Sequence, residues 1–248
     1  MSKSVTLDGQ IIHGVDRLGS WRINSVEGWD ETPEAKSNSE SRPLADGDYD
    51  SEVFYGSRLV TLNGRLSAKT PGDAFMARER LTALLGSPGR FQVDQFGLVR
   101  WGTARRGKIK PGQIKGRHLP FQMELRFIDP RKFGKARSFS TAVGSPVDVL
   151  QRGSFPATPI VTVTGSMPSG YDLSLNGRLV SITKSLASGS THTIDMRTGI
   201  LRQNGTVVAG GFSYSELLKV EPGMPQNFFA STASGSGTVR LDYYDTYI

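Results

Sequence analysis

The sequence predicts a mainly β fold, in which an N-terminal strand-rich domain carrying one helix is followed by a C-terminal β-sandwich. Three observations predict it. The 248 residues include 29 Gly and 13 Pro with 37% hydrophobic residues, a composition suited to many short strands joined by tight turns. Across residues 119–127, Leu119, Phe121, Met123, Leu125 and Phe127 alternate with Pro120, Gln122, Glu124 and Arg126, the period of a strand with one buried face. Asn176-Gly177 and Asn204-Gly205 are dipeptides that favour the positive φ of a two-residue type I′ hairpin turn.

Taken in order, β-rich stretches fall at residues 5–12, 21–26, 53–66 and 90–101 before the strand at 119–127. One helix stands among them. Asp73 is suited to capping its first turn, Ala74, Ala77, Leu81, Leu84 and Leu85 form an apolar stripe at helical spacing, and Gly86 with Pro88 stops it. Asp129-Pro130 ends the long strand, because Pro lacks a backbone donor. After the basic run 131–137, residues 138–158 are rich in Ser, Gly and Pro and have no sustained period, so they are expected to link a first domain (1–137) to a second (159–248). Short strands rich in Val, Ile, Leu, Tyr or Thr are expected in the second at 160–164, 171–175, 178–183, 191–196 and 238–244. The last of these either completes the second domain or returns to the first. The two halves show no internal repeat.

The length suffices for two domains with independent cores. No apolar run approaches the roughly 18 residues that span a bilayer, and the first eight residues lack the apolar core of a signal peptide, so a soluble chain made in the cytoplasm is expected. There is no cysteine, which excludes disulfides and thiolate ligands. The net charge of +7 is uneven: residues 1–137 hold 23 Lys/Arg against 16 Asp/Glu, and residues 138–248 hold seven of each. Within the first domain, residues 27–52 carry nine acids and two bases, whereas residues 100–118 carry seven bases and no acid. Two opposed blocks of similar size are the most unusual feature of the composition.

Chemistry is tested at each motif. Gly102 to Ile109 reads GTARRGKI, matching G-x-x-x-x-G-K but placing Ile109 where a phosphate-binding loop needs Ser or Thr, with Lys110-Pro111-Gly112 where its helix would begin. A flexible basic loop or solvated hairpin arm is the expectation there. Ser190, His192 and Asp195 supply the residue types of a triad, but Asp195 falls on the opposite strand face and no nucleophile turn exists, leaving a Ser/Thr-rich sandwich edge. His13, His118 and His192 have no zinc spacing. Asp46, Asp48, Asp50 and Glu52 alternate like the start of a calcium loop, yet Ser51 and Ser57 occupy the positions that need Gly and Glu; an acidic loop or subunit contact is the alternative. No catalytic set, metal site or cofactor is expected. The basic residues Arg100, Arg105, Arg106, Lys108, Lys110, Lys115 and Arg117, with Trp101 beside them, are suited to phosphates or to the acidic segment of a neighbouring copy.

The ordered elements resemble the distal tail proteins of siphophages, also known as minor tail or tail component proteins. The resemblance lies in Asp46-Gly47 followed by Tyr55-Gly56-Ser57-Arg58 and a strand at 59–66, the helix at 74–85, and a closing strand ending Arg126-Phe127-Ile128-Asp129-Pro130. In the second domain it lies in Thr158-Pro159-Ile160, in Thr193-Ile194-Asp195 with Asn204-Gly205, and in Glu221-Pro222-Gly223-Met224. The resemblance implies a first domain closing into a hexameric ring, a galectin-like sandwich, and a hub at the virion tail tip. The implied partners are other copies of the chain, the tail tube protein, tail-associated hub or fibre proteins, and the tape measure protein, with DNA only as passing cargo. A tail tube protein is the nearest rival, since it shares β architecture and ring assembly. A carbohydrate-binding module using Tyr171, Tyr243, Tyr244 and Tyr247 is the rival of a different class.

Overall fold

The computed structural model describes residues 4–36, 42, 46, 54–84 and 86–248, which fall into two compact units: residues 1–132 with Ile248, and residues 133–247. The first unit contains β1 (Ser4–Leu7), β2 (Gln10–Val15), β3 (Gly19–Glu27), β4 (Ala35–Lys36), β5 (Phe54–Tyr55), β6 (Arg58–Ala68), α1 (Pro71–Ala83), β7 (Gly89–Gln95), β8 (Leu98–Pro111) and β9 (His118–Phe127). Apart from the small β4–β5 pair, its strands form a closed antiparallel circuit, β1-β2-β3-β6-β9-β8-β7 and back to β1. Seven strands alternating in direction cannot close unless some strand bends. Two do. β2 pairs with β1 as far as His13 and with β3 from Gly14 onward, while β8 pairs with β7 up to Ala104 and with β9 from Arg105. Strands that change partners at bulges make such corners.

The interior follows from alternation. Val60, Leu62 and Leu66 of β6 face Leu125, Met123 and Leu119 of β9, and all are buried with Trp21, Phe91, Phe121 and Phe127. At one place the pattern uses space rather than side chains: a Cβ on Gly64 would lie 2.5 Å from the Phe121 ring, so only Gly lets that ring fill the core. The helix closes on this core through Ala74, Ala77 and Leu81. Its N-cap is Thr70, not Asp73. The Thr70 hydroxyl accepts from the Asp73 N–H at 3.1 Å, and the Asp73 carboxylate accepts from the Thr70 N–H at 3.1 Å, a reciprocal box with Pro71 at the first helical position. Leu85 of the expected stripe lies outside the described residues.

The second unit contains all but the first residue of β10 (Lys132–Ala142), together with β11 (Val147–Val149), β12 (Ile160–Ser166), β13 (Tyr171–Leu175), β14 (Arg178–Ile182), β15 (Thr191–Asp195), β16 (Ile200–Gln203), β17 (Thr206–Val207), β18 (Phe212–Ser215), β19 (Gln226–Ser231) and β20 (Ser236–Tyr247). Two antiparallel layers, β17-β16-β15-β12-β20-β10 and β11-β19-β13-β14-β18, enclose one core. Val161, Val163, Ile194, Leu201, Val239 and Leu241 of the first layer meet Leu173, Leu175, Val180, Ile182, Phe228 and Ala230 of the second, the interdigitation of a β-sandwich. Residues 138–158, whose composition lacks a period, hold the second half of β10 and all of β11. Their pairing comes from partners distant in sequence: β11 takes its register from Phe228, Asn227 and Gln226 of β19. At the middle of β10, Arg137 grips Asp245 of β20, with Nη2 2.7 Å and Nε 3.0 Å from the carboxylate.

Candidate assembly surface

The outer side of β3, β6, β9 and β8 gathers Arg22, Arg65, Arg105, Lys110 and Arg126 from four different strands. Because Val60, Leu62, Met123 and Leu125 point inward, their neighbours Leu59, Thr61, Asn63 and Arg65 on β6 and Gln122, Glu124 and Arg126 on β9 point outward. Register then sets the rows. Arg22 stands opposite Arg65, Asn63 opposite Gln122, Gln122 opposite Lys110, and Arg126 opposite Arg105. Two rows therefore bring like charges face to face, an arrangement that costs rather than contributes stability. The acids on the same face are Glu27 and Glu124, both opposite Thr61. A depression of about 390 Å³ lined by Asn24, Asn63, Gly64, Lys110, Gly112 and Gln122 lies within it.

The basic block of the sequence is split by this geometry. Residues 102–109 lie within strand β8, so the expectation of a flexible loop is corrected and the hairpin-arm reading describes the segment better. The inward positions before its bend are Gly102 and Ala104, which conceal the alternation: a Cβ on Gly102 would meet the Phe127 ring at 3.0 Å. A bulge between Arg106 and Ile109 adds one residue, and Gly107 sits there because a Cβ would lie 2.6 Å from the Glu124 carbonyl oxygen. Arg105, Arg106, Lys108 and Lys110 are exposed along this segment, and Lys115 and Arg117 are exposed in the turn between β8 and β9. Arg100 is elsewhere. It is half-buried near the start of β8, lines a cleft with Trp29 and Asp30, and donates from Nη1 to the Val99 carbonyl at 2.9 Å.

Of the acidic positions, Asp46 is exposed, and Asp48, Asp50 and Glu52 lie outside the described residues. Among the described residues no group of three or more His, Asp or Glu is placed to hold a metal ion. The approach to the acidic segment is fixed by a buried cation. Arg58, 2% exposed, donates from Nε to the Pro130 carbonyl at 2.9 Å and from Nη1 to the carbonyls of Gly28 and Trp29 at 2.7 and 3.1 Å, and of Glu31. Lys132 adds a hydrogen bond to the Trp29 carbonyl at 3.1 Å. Burial and the neighbouring Arg58 hold the Lys132 ammonium below its usual pKa, partly offset by Asp30.

The triad types are not assembled. Strand β15 lies inside its sheet between β12 and β16, correcting the expected edge, and His192 is fully buried with Nδ1 3.0 Å from the Tyr171 hydroxyl. Asp195 instead accepts from the Arg197 N–H at 2.9 Å. The four tyrosines form no common platform, since Tyr171 and Tyr243 are core residues at 3% and 5% exposure. Arg22, Arg65 and Arg126 are missed by sequence reading. None has another basic residue near it in its own strand, and only register brings it beside another arginine.

No protein-family model matches the sequence, and no curated protein sequence does either. Solved structures do. The crystal structure of the SPP1 Dit protein, described as a paradigm of the hub adsorption apparatus in Gram-positive infecting phages, covers 100% of both chains with a TM-score of 0.73 at 15% identity. A chain of the phage P2 baseplate in its activated conformation with Ca covers 97% of this chain and 98% of its own, with a TM-score of 0.48 and 5% identity. The chain thus has, over its whole length, the fold of the SPP1 Dit protein.

Proposed function

We propose that this protein is a structural hub at the distal end of a long-tailed phage tail. In this reading six copies close into a ring through the first unit. The ring joins the tail tube to baseplate, tail-tip or receptor-binding proteins and leaves a channel for the tape measure protein and then DNA. One observation carries the reading: the fold match to a protein described as a phage adsorption hub spans both chains completely. Ring closure repeats one heterologous contact, which needs complementary patches on different parts of a subunit. The arginine-rich outer face of β3, β6, β9 and β8 and the acidic segment 27–52 form such a pair, and their fields favour a single docking register. The sandwich unit, with seven bases and seven acids across residues 138–248, serves as the docking platform.

Negative-stain imaging and mass photometry of the purified protein test this. Six-fold rings are the expected result, and a strict monomer at every concentration, alone and with its tail tube protein, would sink the reading. Reversing Arg105 and Arg106 to Glu tests the charge contact separately: assembly should fail at physiological salt, and normal rings would remove that contact while leaving the hub.

A further inference from the structure

Residues 138–248 carry seven acids, and all but two of them have a partner within the chain. Asp245 is held by Arg137, and Asp242 by Arg240 and Ser138. Asp195 accepts from the Arg197 N–H, Glu216 from the Tyr214 hydroxyl and Asp148 from the Asn227 carboxamide. Asp172 has none but is exposed to water. Glu221 differs from all of these: it is half-buried, yet no group among the described residues bonds its carboxylate. A carboxylate partly withdrawn from water without a donor costs stability, and the loop that holds it there is firmly built. Gln226, 9% exposed, accepts from the Glu221 N–H at 3.1 Å and donates to the Glu221 carbonyl at 2.6 Å. From the other side, the Gly223 N–H donates to the Gln151 carbonyl at 3.2 Å. These bonds fix the backbone and leave the carboxylate open.

Among the described residues, Glu221 is the one charged group lining a depression of about 430 Å³ between the β13–β14 turn and the loop that follows Glu221. Asn176 and Asn227 line it as well, and Pro222, Met224 and Pro225 give it apolar walls. The Asn176 carboxamide has no hydrogen bond among the described residues. Met224 is 73% exposed, a flexible apolar side chain standing in water at the rim. The site thus offers one negative charge, carboxamide oxygens beside it and an apolar wall. A calcium ion takes roughly six to eight oxygen ligands, more than one carboxylate and two carboxamides supply. A sugar ring finds no aromatic face to stack on. A guanidinium fits, because its planar fork donates to a carboxylate and a carboxamide oxygen together, and its methylene stem lies along apolar side chains. We infer that this depression is an anchor site for an arginine side chain of a partner polypeptide, with Glu221 pairing the guanidinium. The inference rests on the reading of the sandwich as a docking platform, and it gives that platform a contact at the level of residues.

Methionine ε-methyl groups labelled with carbon-13 read the site in the full chain by nuclear magnetic resonance. Met224 reports on the depression, Met76, 46% exposed, on the general surface, and Met167, fully buried, on the core; Met224→Leu assigns the reporting signal. The probe is a Gly-Arg-Gly peptide with both ends blocked, and its control is the same peptide with uncharged citrulline in place of arginine. The arginine peptide should shift the Met224 signal to saturation while Met76 and Met167 stay in place, and the citrulline peptide should leave all three unmoved. Glu221→Gln removes the charge and keeps the shape, so it should weaken the response about tenfold or more. Its urea midpoint should match or exceed that of the wild type, because no partner within the chain is lost. A Met224 signal that ignores the arginine peptide, follows both peptides alike or responds equally in Glu221→Gln overturns the site. So does a response to calcium chloride or glucose in place of the peptide, or a lowered urea midpoint for Glu221→Gln, which would mean that the carboxylate serves the fold. Six-fold rings with a silent Met224 overturn the anchor and leave the hub, whereas a saturating shift on a chain that never forms rings supports the anchor and sinks the hub.

Discussion

Arg58 directs its donors at the carbonyls of Gly28, Trp29, Glu31 and Pro130, and so binds together backbone on either side of the acidic excursion. Lysine keeps the charge but lacks the planar fork that reaches several acceptors at once. Arg58→Lys should therefore lower the stability of the first unit by about 3 kcal/mol, as expected when buried acceptors lose a shared donor, seen as an earlier urea transition. His192 makes a different demand. Burial, and then the charge of Lys184, hold its imidazole below its usual pKa of 6.5. An unfolded chain takes up this proton near pH 6.5, whereas the folded chain takes it up only at lower pH, so stability falls as pH drops below 6.5 toward the folded value. His192→Gln should lose less stability than the wild type between pH 7.5 and 5, measured by urea midpoints. Asp16 does not confuse this window. Burial pushes its pKa up, but Arg80 at 2.7 Å, aided by further hydrogen bonds, outweighs that and holds the carboxyl below its usual 3.8. Its contribution is present above 3.8 and is lost only as pH falls further, through the lowered value.

At the scale of elements, α1 begins where Thr70 and Asp73 satisfy each other's N–H groups, so Thr70→Ala should cost about 1 kcal/mol, measured as a shift in the thermal or urea transition. A large loss beyond that would mean that the hydroxyl has a role past the cap. The helix was legible because its Ala and Leu stripe is continuous in sequence, but the cap was misplaced by three residues because Asp73 is good at both positions. Strand β9 was legible for the same reason: its five inward residues alternate without a gap. Residues 5–12 and 90–101, β-rich stretches in the sequence, each hold a hairpin, turned at Asp8-Gly9 and Phe96-Gly97. The second turn hides behind a residue that does not favour it. Strand β8 was hidden by small inward residues, Gly102 and Ala104, the first of which is kept small by the Phe127 ring. Strands β11, β16, β17 and β18 span two to four residues each, too short for periodicity to register, and their pairing is fixed by distant partners.

For the molecule as a whole, the sequence revealed a basic block, whereas the basic surface is a product of register. Arg22, Arg65 and Arg126 come from three strands and share a face with Arg105 and Lys110 only once β3, β6, β9 and β8 are paired. Directly opposed arginines lower the stability of the isolated chain, and a fold that tolerates two such rows keeps a field available for an anionic partner. That separates assembly from stability in a measurable way. In Arg22→Ser combined with Arg65→Ser, the repulsion is gone, so the urea midpoint of the isolated protein should hold or rise by a few tenths of a kcal/mol. Assembly of the same variant should weaken, and because screening grows with ionic strength, its self-association should also depend less steeply on salt than that of the wild type. Concentration series by mass photometry at low and high salt measure both slopes. Equal slopes would mean that this face meets no anionic partner, and a marked loss of stability would mean that the arginines serve the fold instead.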